Sequence, residues 1–467
     1  MRSLVWFRGK DLRVADHGPL AEAAVAGEVL PLFVLDPYFF DPARARELPH
    51  RLQFLRESLV ALEANLAHLG SRLQVVPGRS VEVVARLAAL WKVDQVLAHR
   101  WVEPFAEERD RRIAAALARE GIAFRLFEGT TLLPPGSVRN GQGAMFRVFT
   151  PFSRACTMRL EPGPARPAPR VLPPWPADLP QVGVPVPSLQ ELGLDHNPMV
   201  QAGGEKAARA RLKAFVQGPL AGYGGDRDRM DRPGTSRLGA DLKFGTLSVR
   251  TVWQAAAAAS DVARPFLNEL LWREFSHHLL AEWPELLERP FRAGFTGFPW
   301  REDEATWRAW TEGRTGYPVV DAAARQLLAE GFVHNRARMV AASFLTKHLL
   351  LDYRRGEAHY LRWLTDGDWA PNNAGWQWSA GCGCDAQPWF RIFNPVAQGL
   401  KFDPEGAYVK RWVPELAALP ASLVHEPWKV PEALRRCLDY PGPIVDHALA
   451  RARFLATAKD HLARPEA

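Results

Sequence analysis

Cysteines and long apolar runs are scarce in this chain of 467 residues. The four cysteines stand at positions 156, 382, 384 and 437, and this wide spacing argues against a disulfide framework. Cys382 and Cys384 form a GCGC run, but no second pair or histidine follows at a metal-binding spacing, so close packing is favoured over a metal site. No apolar run reaches the length of a transmembrane helix, and the charged N-terminus is unlike a signal peptide. We therefore expect a cytoplasmic protein with no membrane partner.

Tryptophan and positive charge, in contrast, are abundant. The chain has 17 tryptophans, a formal charge of +7 and an isoelectric point of about 9.4. A basic surface makes a polyanionic partner plausible, because nucleic-acid binding is driven by cation release. Charge alone excludes few functions, so the tryptophans have to be explained from the motifs that contain them.

The pattern of apolar residues divides the chain into two structural classes. Up to residue 130, short buried strands alternate with amphipathic helices such as 52–69 and 108–120, which predicts a Rossmann-like α/β domain with a parallel sheet. The predicted strands are Leu4–Phe7, Val29–Asp36, Arg72–Gly78, Gln95–Arg100 and Ala123–Gly129. No G-x-G-x-x-G follows the first strand, so nothing indicates NAD. Residues 131–200 are expected to be a linker, proline-rich from 161 onward. Residues 201–467 predict an all-α domain.

The most informative stretch is DGDWAPNNAGWQW, residues 366–378. It combines two carboxylates, two amides and three indoles, a mixture that neither surface loops nor cores usually contain. One interpretation is a pocket for a flat, polar, redox-active ring. The other is a tight turn between helices, with Gly367 and Pro371 as turn residues and the tryptophans as ordinary core. The stretch alone favours neither.

Three further patterns are suggestive but individually weak. Thr235 and Ser236 precede a helical pattern and could bind an anion, although a plain helix cap is the simpler explanation. Glu269, Trp272 and Arg273 share one helix face at i, i+3 and i+4. A second shared face is expected for Asn335, Arg338 and Met339, with Arg336 beside it.

Taken in order, these motifs resemble those of the photolyase/cryptochrome family. The likeness rests on TSRL, NELLWREF, GYPVVDAA, HNRARM, DGDWAPNNAGWQW and RIFNPVAQGLKFDPEG, and on the opening LVWFRGKDLRVADHGPL. It covers nearly the whole chain and is greatest with the bacterial class I cyclobutane pyrimidine dimer photolyases. The resemblance implies an all-α domain that binds FAD in a folded conformation, with the α/β domain housing an antenna.

The resemblance also implies roles for individual residues around the flavin. Arg338 and Asp366 resemble a salt bridge against the isoalloxazine, Asp368 would reach its pyrimidine edge, and Asn372 would face N5. An amide at that position fits a site that keeps the flavin reduced and anionic. The family usually has serine where Gly239 stands, which puts one hydroxyl contact in doubt. The full set of implied FAD-binding residues is Tyr223, Thr235, Ser236, Arg237, Leu238, Gly239, Trp272, Arg273, Arg338, Asp366, Gly367, Asp368 and Asn372.

The implied substrate is UV-damaged DNA with a pyrimidine dimer flipped out of the duplex. Excited FADH⁻ would donate an electron to the dimer, its ring bonds would split and the electron would return, with no metal required. Glu269 would hydrogen-bond the dimer, with a pKa raised by burial. The implied catalytic residues are Glu269, Trp272, Asn335, Met339 and Trp378. The implied DNA-binding residues are Arg227, Glu269, Trp272, Asn335, Arg336, Trp378 and Gln398.

Two positions depart from the family pattern. The photoreduction chain, usually three tryptophans, would here be Trp376, Tyr353 and Trp300. We expect the tyrosine to slow photoreduction of oxidised FAD, unless Trp363 or Trp369 provides a bypass. In the α/β domain, Phe105 and Ala106 stand where folate-binding relatives have an Asn-Glu pair. Folate is therefore disfavoured, and a deazaflavin, a second flavin or an empty cleft stay open.

Two other functions compete with dimer repair. A cryptochrome-type photoreceptor would share the fold and the flavin, but Asn372, Glu269 and Met339 favour repair. A light-independent flavin electron carrier fits the basic charge and the paired indoles poorly. The resemblance predicts a monomer. The sequence does not give the antenna chromophore, the resting redox state of FAD, the repair yield or the route of the hole.

Overall fold

The structure is a computed structural model that describes residues 1–160 and 163–463. The chain divides into two compact units. The first unit consists of Met1–Ala221, Ser236–Pro284 and Thr365–Gly367, and the second of Gly222–Thr235, Glu285–Leu364 and Asp368–Ala467. The first unit thus contains the predicted α/β domain, the linker and the beginning of the helical part.

A parallel five-stranded sheet, with strand order β3-β2-β1-β4-β5, forms the centre of the first unit. All five predicted strands are confirmed to within two residues at either end. Neighbouring residues of β1 face different cores: Val5 and Phe7 pack in one cluster, Leu4 and Trp6 in the other. Apolar runs therefore form strands here because both faces of the sheet are covered. The strands are β1 Arg2–Phe7, β2 Glu28–Leu35, β3 Gln74–Pro77, β4 Gln95–His99 and β5 Ala123–Phe127.

Helices cover both faces of this sheet. The predicted helices at 52–69 and 108–120 correspond to α4 and α6, each of which begins a few residues earlier than expected, with a proline in its first turn. Proline is tolerated there because the first N–H groups of a helix have no partner within it. The helices are α1 Gly18–Ala26, α2 Pro37–Phe40, α3 Pro42–Glu47, α4 Pro49–His68, α5 Ser80–Leu90 and α6 Pro104–Arg119.

The proline-rich segment packs against the α/β domain. After α7, Phe149–Arg159, the described residues up to 204 contain no helix or strand. Leu172, Leu192 and Leu194 are nevertheless buried in the sheet's first core. The segment is extended and packs on the α/β domain through these leucines, whereas a linker crossing the surface would bury few side chains.

The rest of the chain is helical, as predicted, and the described residues after β5 contain no further strand. Among them, Phe344–His348 form one turn of π-helix. No helix in the described ranges is long and apolar enough to span a membrane. The helices are α8 Glu205–Gln217, α9 Tyr223–Asp226, α10 Gly239–Phe244, α11 Val249–Ala257, α12 Arg264–Glu282, α13 Glu304–Thr311, α14 Pro318–Glu330, α15 Asn335–Ser343, α16 Tyr353–Trp363, α17 Trp369–Ala380, α18 Pro395–Phe402, α19 Ala407–Trp412, α20 Ala421–Val424, α21 Glu432–Arg435 and α22 His447–Leu462.

Candidate functional site

The stretch 366–378 combines the turn and the aromatic helix that its sequence suggested. Residues 364–368 connect α16 to α17, and Asp368 occupies the N-cap position of α17. Pro371 lies in the first turn of the helix rather than in the connection. Trp376 is buried, whereas Trp378 and Asn372 are partly accessible. The tryptophans are therefore not all ordinary core.

Two asparagines attach α17 to α16 within the second unit. Asn372 donates its Nδ2 to the backbone oxygen of Glu357 at 3.1 Å, and Asn373 donates to the Glu357 carboxylate at 3.0 Å. Burial raises the pKa of Glu357 to about 7, although the Asn373 hydrogen bond partly opposes this. Because the Nδ2 of Asn372 donates to a carbonyl, its Oδ1 is available to accept a hydrogen bond from a ligand.

The predicted electron-transfer residues all lie in the second unit among other aromatic rings. Trp376 contacts Tyr360 and Trp310, with centroid separations of 5.2 and 6.1 Å. Trp300 contacts Tyr353 at 6.4 Å, edge to face. Burial raises the pKa of the Tyr353 phenol well above its ordinary value, so loss of its proton is unfavourable.

A second aromatic branch from Trp376 was missed by the sequence analysis. Trp310 stacks on Trp307 at 5.6 Å, so rings continue from Trp376 through Trp310 to Trp307. Its spacing in the sequence, W-x-x-W on one helix, was the available signal. The proposed bypass residues Trp363 and Trp369 stay untested predictions.

Helix α15 brings together the predicted dimer-contacting pair. The amide of Asn335 lies 3.7 Å from the sulfur of Met339, one turn further along the helix, so the predicted shared face is present. Asn335 is exposed and Met339 partly so. Arg338 donates its Nε to the Val333 carbonyl at 2.8 Å.

Arg336 has an anchored guanidinium at the surface of the second unit. It forms an ion pair with Asp228 at 2.8 Å and lies over the ring of Phe402 at 4.4 Å. Phe402 ends α18, the helix that contains Gln398. Arg227 lies over the ring of Tyr223 at 5.9 Å. Two of the predicted DNA-binding arginines are thus held by aromatic neighbours.

In the first unit, α12 presents Glu269, Trp272 and Arg273, all partly accessible. Arg273 donates to the Thr130 carbonyl at 2.7 Å, so at least part of its guanidinium holds the chain after β5. The next residue, Glu274, is fully buried and accepts from the backbone N–H of Leu132 at 2.9 Å. Burial raises the pKa of Glu274 to about 7. No sequence motif indicates a role for Glu274.

The segment before α10 does not use its hydroxyls as a helix cap. Leu238 occupies the N-cap position of α10 and makes no side-chain cap. Ser236 instead accepts from the Leu238 N–H at 3.4 Å, and Arg237 has a left-handed φ of 52°. The simpler explanation of Thr235 and Ser236 as an N-cap is therefore wrong. In place of a cap, the Ser236 hydroxyl and the Leu238 N–H close a short turn.

Gly239 has a steric reason to depart from the family's serine. A Cβ atom at this position would lie 2.4 Å from Oδ2 of Asp366 and 3.1 Å from its Cβ. The missing side chain thus makes room for the Asp366 carboxylate, a residue that the resemblance assigns to the flavin. Serine at position 239 would require Asp366 to move.

The first unit contains an aromatic pocket that is partly open to solvent. It lies at the carboxyl ends of the strands: Arg8 follows β1 and Trp101 follows β4. These two strands are neighbours where the strand order reverses, the usual ligand position of open α/β sheets. Its rings come from Trp6, Phe7, Phe33, Tyr38, Phe39, Phe40, Trp101, Phe105 and Phe244.

Two buried guanidiniums of this pocket share one carboxylate. Arg8 and Arg109 approach Asp110 at 2.5 and 3.1 Å, respectively. Burial and the nearby charge of Arg8 lower the pKa of Arg109 to about 10. Among the described residues, Arg109 Nη2 and Trp101 Nε1 have no hydrogen-bond acceptor although both are buried. The pocket therefore offers unused donors and an excess of positive charge.

A buried cluster of Asp11, His17 and His99 near the same strand ends has the composition of a metal site. Its hydrogen bonds argue for a different role. His17 Nδ1 accepts from the Leu20 N–H at 3.0 Å, so in neutral His17 the proton is on Nε2, which faces Asp11. A metal ion at this position would need a lone pair on Nε2, where this tautomer has its proton. His99 Nδ1 lies 3.2 Å from Asp11, and the cluster is explained as two imidazoles directed at one carboxylate.

Cys382 of the GCGC run is also a poor metal ligand. Cys382 is buried, its thiol directed at the Gln377 carbonyl at 3.7 Å. Burial raises the pKa of this thiol well above its ordinary value, whereas metals bind the thiolate. Close packing is the better explanation of Cys382.

Comparisons with known proteins agree with this geometry. Residues 3–173 match the family DNA photolyase, and residues 266–460 match the FAD binding domain of DNA photolyase. The chain is 39% identical over 473 residues to the deoxyribodipyrimidine photo-lyase of Agrobacterium fabrum, covering 97% of this chain and 96% of that protein.

Solved structures are similar over the same extent. A bacterial class III photolyase from Agrobacterium tumefaciens has a TM-score of 0.91 at 37% identity, covering 98% of this chain and 97% of that one. A Synechocystis cryptochrome has a TM-score of 0.89 at 30% identity, covering 97% and 99%. An archaeal photolyase from Sulfolobus tokodaii with two FAD molecules has a TM-score of 0.83 at 30% identity, covering 98% and 100%.

The fold and the matches define a flavin-binding photoactive protein of two structural parts, α/β and all-α. The chain belongs to the DNA photolyase family and includes its FAD-binding domain. The predicted family, fold class and photo-lyase type of enzyme are confirmed.

Proposed function

We propose that this protein repairs cyclobutane pyrimidine dimers in DNA with light, using an electron supplied by excited, reduced FAD. The observation that carries the proposal is the anchored amide of Asn372. Its Nδ2 donates to the Glu357 carbonyl, which leaves Oδ1 as an acceptor. Reduced flavin has an N–H at N5, whereas oxidised flavin has only a lone pair there. The anchored amide thus complements the reduced ring and opposes the oxidised one.

We infer that FAD is held by the residues that the family resemblance indicated. In the first unit these are Ser236, Arg237, Leu238, Gly239, Trp272, Arg273, Asp366 and Gly367. In the second unit they are Tyr223, Thr235, Arg338, Asp368 and Asn372. Two members of this set lie side by side in the first unit, since a Cβ atom at position 239 would be 2.4 Å from Oδ2 of Asp366.

On the substrate side, this chain's residues bind and orient the flipped pyrimidine dimer. Trp272 and Trp378 are partly accessible indoles suited to stacking on a flipped base. Asn335 and Met339 offer an amide and a thioether on one helix face, and Glu269 hydrogen-bonds the dimer. Arg227, Arg336 and Gln398 bind the DNA backbone. The net charge of +7 agrees with a polyanionic partner.

The reduced protein should restore thymine absorbance when it is mixed with dimer-containing oligothymidine and illuminated with blue light. Glu269→Gln should lower the yield, and Glu288→Gln, at an exposed position, is the matched control. No recovery of absorbance with the wild type would refute the proposal. Size-exclusion chromatography should show a monomer.

The alternative function is that of a cryptochrome-type photoreceptor, and the likeness to the Synechocystis cryptochrome supports it. A photoreceptor would change its flavin spectrum in light and leave the dimer intact. The illumination experiment therefore separates the two functions in a single sample.

We further propose that the pocket of the first unit binds a second, anionic and flat aromatic chromophore. Arg8 and Arg109 share one carboxylate, and Trp101 Nε1 provides an unused donor. The Sulfolobus tokodaii photolyase, described with two FAD molecules, makes a flavin a reasonable probe. Phe105 lines the pocket and Ala106 is fully buried, which gives folate no polar partner at these positions.

Reconstitution with FMN tests the pocket. Arg109→Ala should weaken FMN binding about tenfold or more, because a charge-assisted hydrogen bond is lost. Arg112→Ala, on the same helix but exposed, should not. Equal affinities of the two variants would contradict the assignment of the pocket.

A further inference from the structure

The indole of Trp272 is stacked on one face by a residue that the site assignment does not include. The ring of Phe149 lies parallel to it, with 3.7 Å between centroids and 7° between planes. Two aromatic rings this close and this parallel overlap almost completely, so one π-face of Trp272 is covered. An indole has two faces, and only the other can take a base.

The stack is built into the packing of two helices of the first unit. Phe149 begins α7, and Phe152, one turn later, is fully buried against Phe275 at 4.9 Å. On α12, Trp272 and Phe275 are likewise one turn apart. Two i, i+3 aromatic pairs therefore pack against each other, with Phe149 stacked on Trp272 and Phe152 tilted by 45° against Phe275. The close, parallel stack on Trp272 argues against a mobile ring that merely fills an empty substrate site.

We infer that Phe149 is a positioning residue that backs Trp272, so that a flipped pyrimidine stacks on the opposite face of the indole. This inference rests on the proposed function, in which Trp272 is a wall of the dimer pocket. Stacking on an aromatic ring contributes favourably only when the ring is presented in the right plane. Phe149 holds that plane because rotation of the Trp272 indole would require loss of the stack.

The prediction concerns binding in the dark and so does not depend on catalysis. Phe149→Ala should weaken binding of dimer-containing oligonucleotide about tenfold, comparable to the loss of one aromatic pair. Affinity for undamaged DNA should stay unchanged. Phe149→Leu, which keeps most of the packing volume but cannot stack, should behave in the same way. Phe149→Tyr should restore wild-type affinity.

Phe152→Leu is the control for general loosening of the helix pair. It removes core packing between α7 and α12 but leaves the ring on Trp272, so it should lower thermal stability with little effect on dimer binding. Fluorescence polarisation with matched damaged and undamaged oligonucleotides measures all five proteins.

Several results would overturn the inference. Tighter dimer binding by Phe149→Ala or Phe149→Leu would mean that Phe149 occupies the substrate face. An equal loss in Phe152→Leu would reduce the stack to ordinary packing, and failure of Phe149→Tyr to recover would exclude stacking as the cause. If the wild type itself does not distinguish damaged from undamaged DNA, the proposed function fails, and the inference fails with it.

Discussion

Trp6 and Trp101 of the first unit and Trp376 of the second unit have different electrostatic surroundings. In the pocket of the first unit, the guanidinium of Arg109 lies over both Trp6 and Trp101, at 5.0 and 4.9 Å. In the second unit, Trp376 contacts the neutral rings of Tyr360 and Trp310. A cation over an indole attracts its π-electrons and makes removal of an electron harder. Neutral rings leave the indole easier to oxidise. The difference separates tryptophans suited to binding an anion from tryptophans suited to passing a charge.

Buried cations of the two units also differ, in their case in the groups that bind them. In the first unit, Lys10 is paired with Glu103, and Arg8 shares the carboxylate of Asp110 with Arg109. In the second unit, Lys347 is fully buried and its ammonium donates to the Arg391 carbonyl at 2.7 Å. Burial lowers the pKa of Lys347 to about 7. Lys347 is thus held by a carbonyl oxygen, whereas Arg8 and Lys10 are held by carboxylates.

The largest expected effect is on photoreduction of oxidised FAD. Trp376→Phe should abolish it, because phenylalanine cannot be oxidised under these conditions. Trp101→Phe, in the cation-rich pocket, should leave it unchanged. The measurement is the decay of oxidised-flavin absorbance under blue light with an external reductant. Comparable slowing by both variants would remove the functional distinction between the two groups of tryptophans.

Replacement of Lys347 by methionine tests whether this buried lysine is neutral in the folded protein. Between pH 7 and 10.5 the unfolded chain keeps the lysine proton and the folded chain does not, so wild-type stability should rise with pH through this window. The variant should lack this rise. At pH 7 its free energy of unfolding should exceed that of the wild type by on the order of 4 kcal/mol. Urea unfolding at several pH values measures the difference. Parallel pH profiles would show that Lys347 is charged in the folded protein.

Glu274 is a buried acid of the first unit that favours its neutral form. Its pKa is raised from 4.5 to about 7, so between these values the folded protein holds a proton that the unfolded chain has lost. Wild-type stability should therefore fall as pH rises from 4.5 to 7. Glu274→Gln should abolish this fall in the free energy of unfolding, which amounts to roughly 3 kcal/mol. Urea unfolding at pH 5 and pH 8 measures it. An unchanged slope would mean that Arg273, 3.8 Å away, keeps Glu274 ionised.

The fold could be predicted from the sequence because each strand and helix has its own local signal. The apolar runs of β1–β5 and the helical spacing of α12, α14 and α15 determine secondary structure almost independently of their neighbours. The shared face of Asn335 and Met339 follows from helical spacing in the same way.

Features that depend on contacts between distant segments could not be predicted. The stack of Phe149 on Trp272 joins residues 123 positions apart. The space taken by Asp366 at Gly239, and the pairing of Arg8 with Asp110, likewise depend on tertiary packing. Thr235 and Ser236 were given the more common local explanation, a helix cap, and the start of α10 at Gly239 contradicts it. Local patterns thus predicted the framework and several site residues, and missed the residues that hold them.

The smallest expected effect concerns the middle of the electron path. Tyr353→Trp should speed photoreduction several-fold, because an indole can be oxidised without first losing a proton, whereas burial disfavours deprotonation of the Tyr353 phenol. The branch through Trp310 ends at Trp307, over which Arg355 lies at 4.4 Å, and a cation there disfavours a hole. Trp310→Phe should therefore slow photoreduction less than Trp300→Phe. If Tyr353→Trp is no faster than the wild type, the tyrosine is not the bottleneck, and a larger effect of Trp310→Phe would make the second branch the principal route.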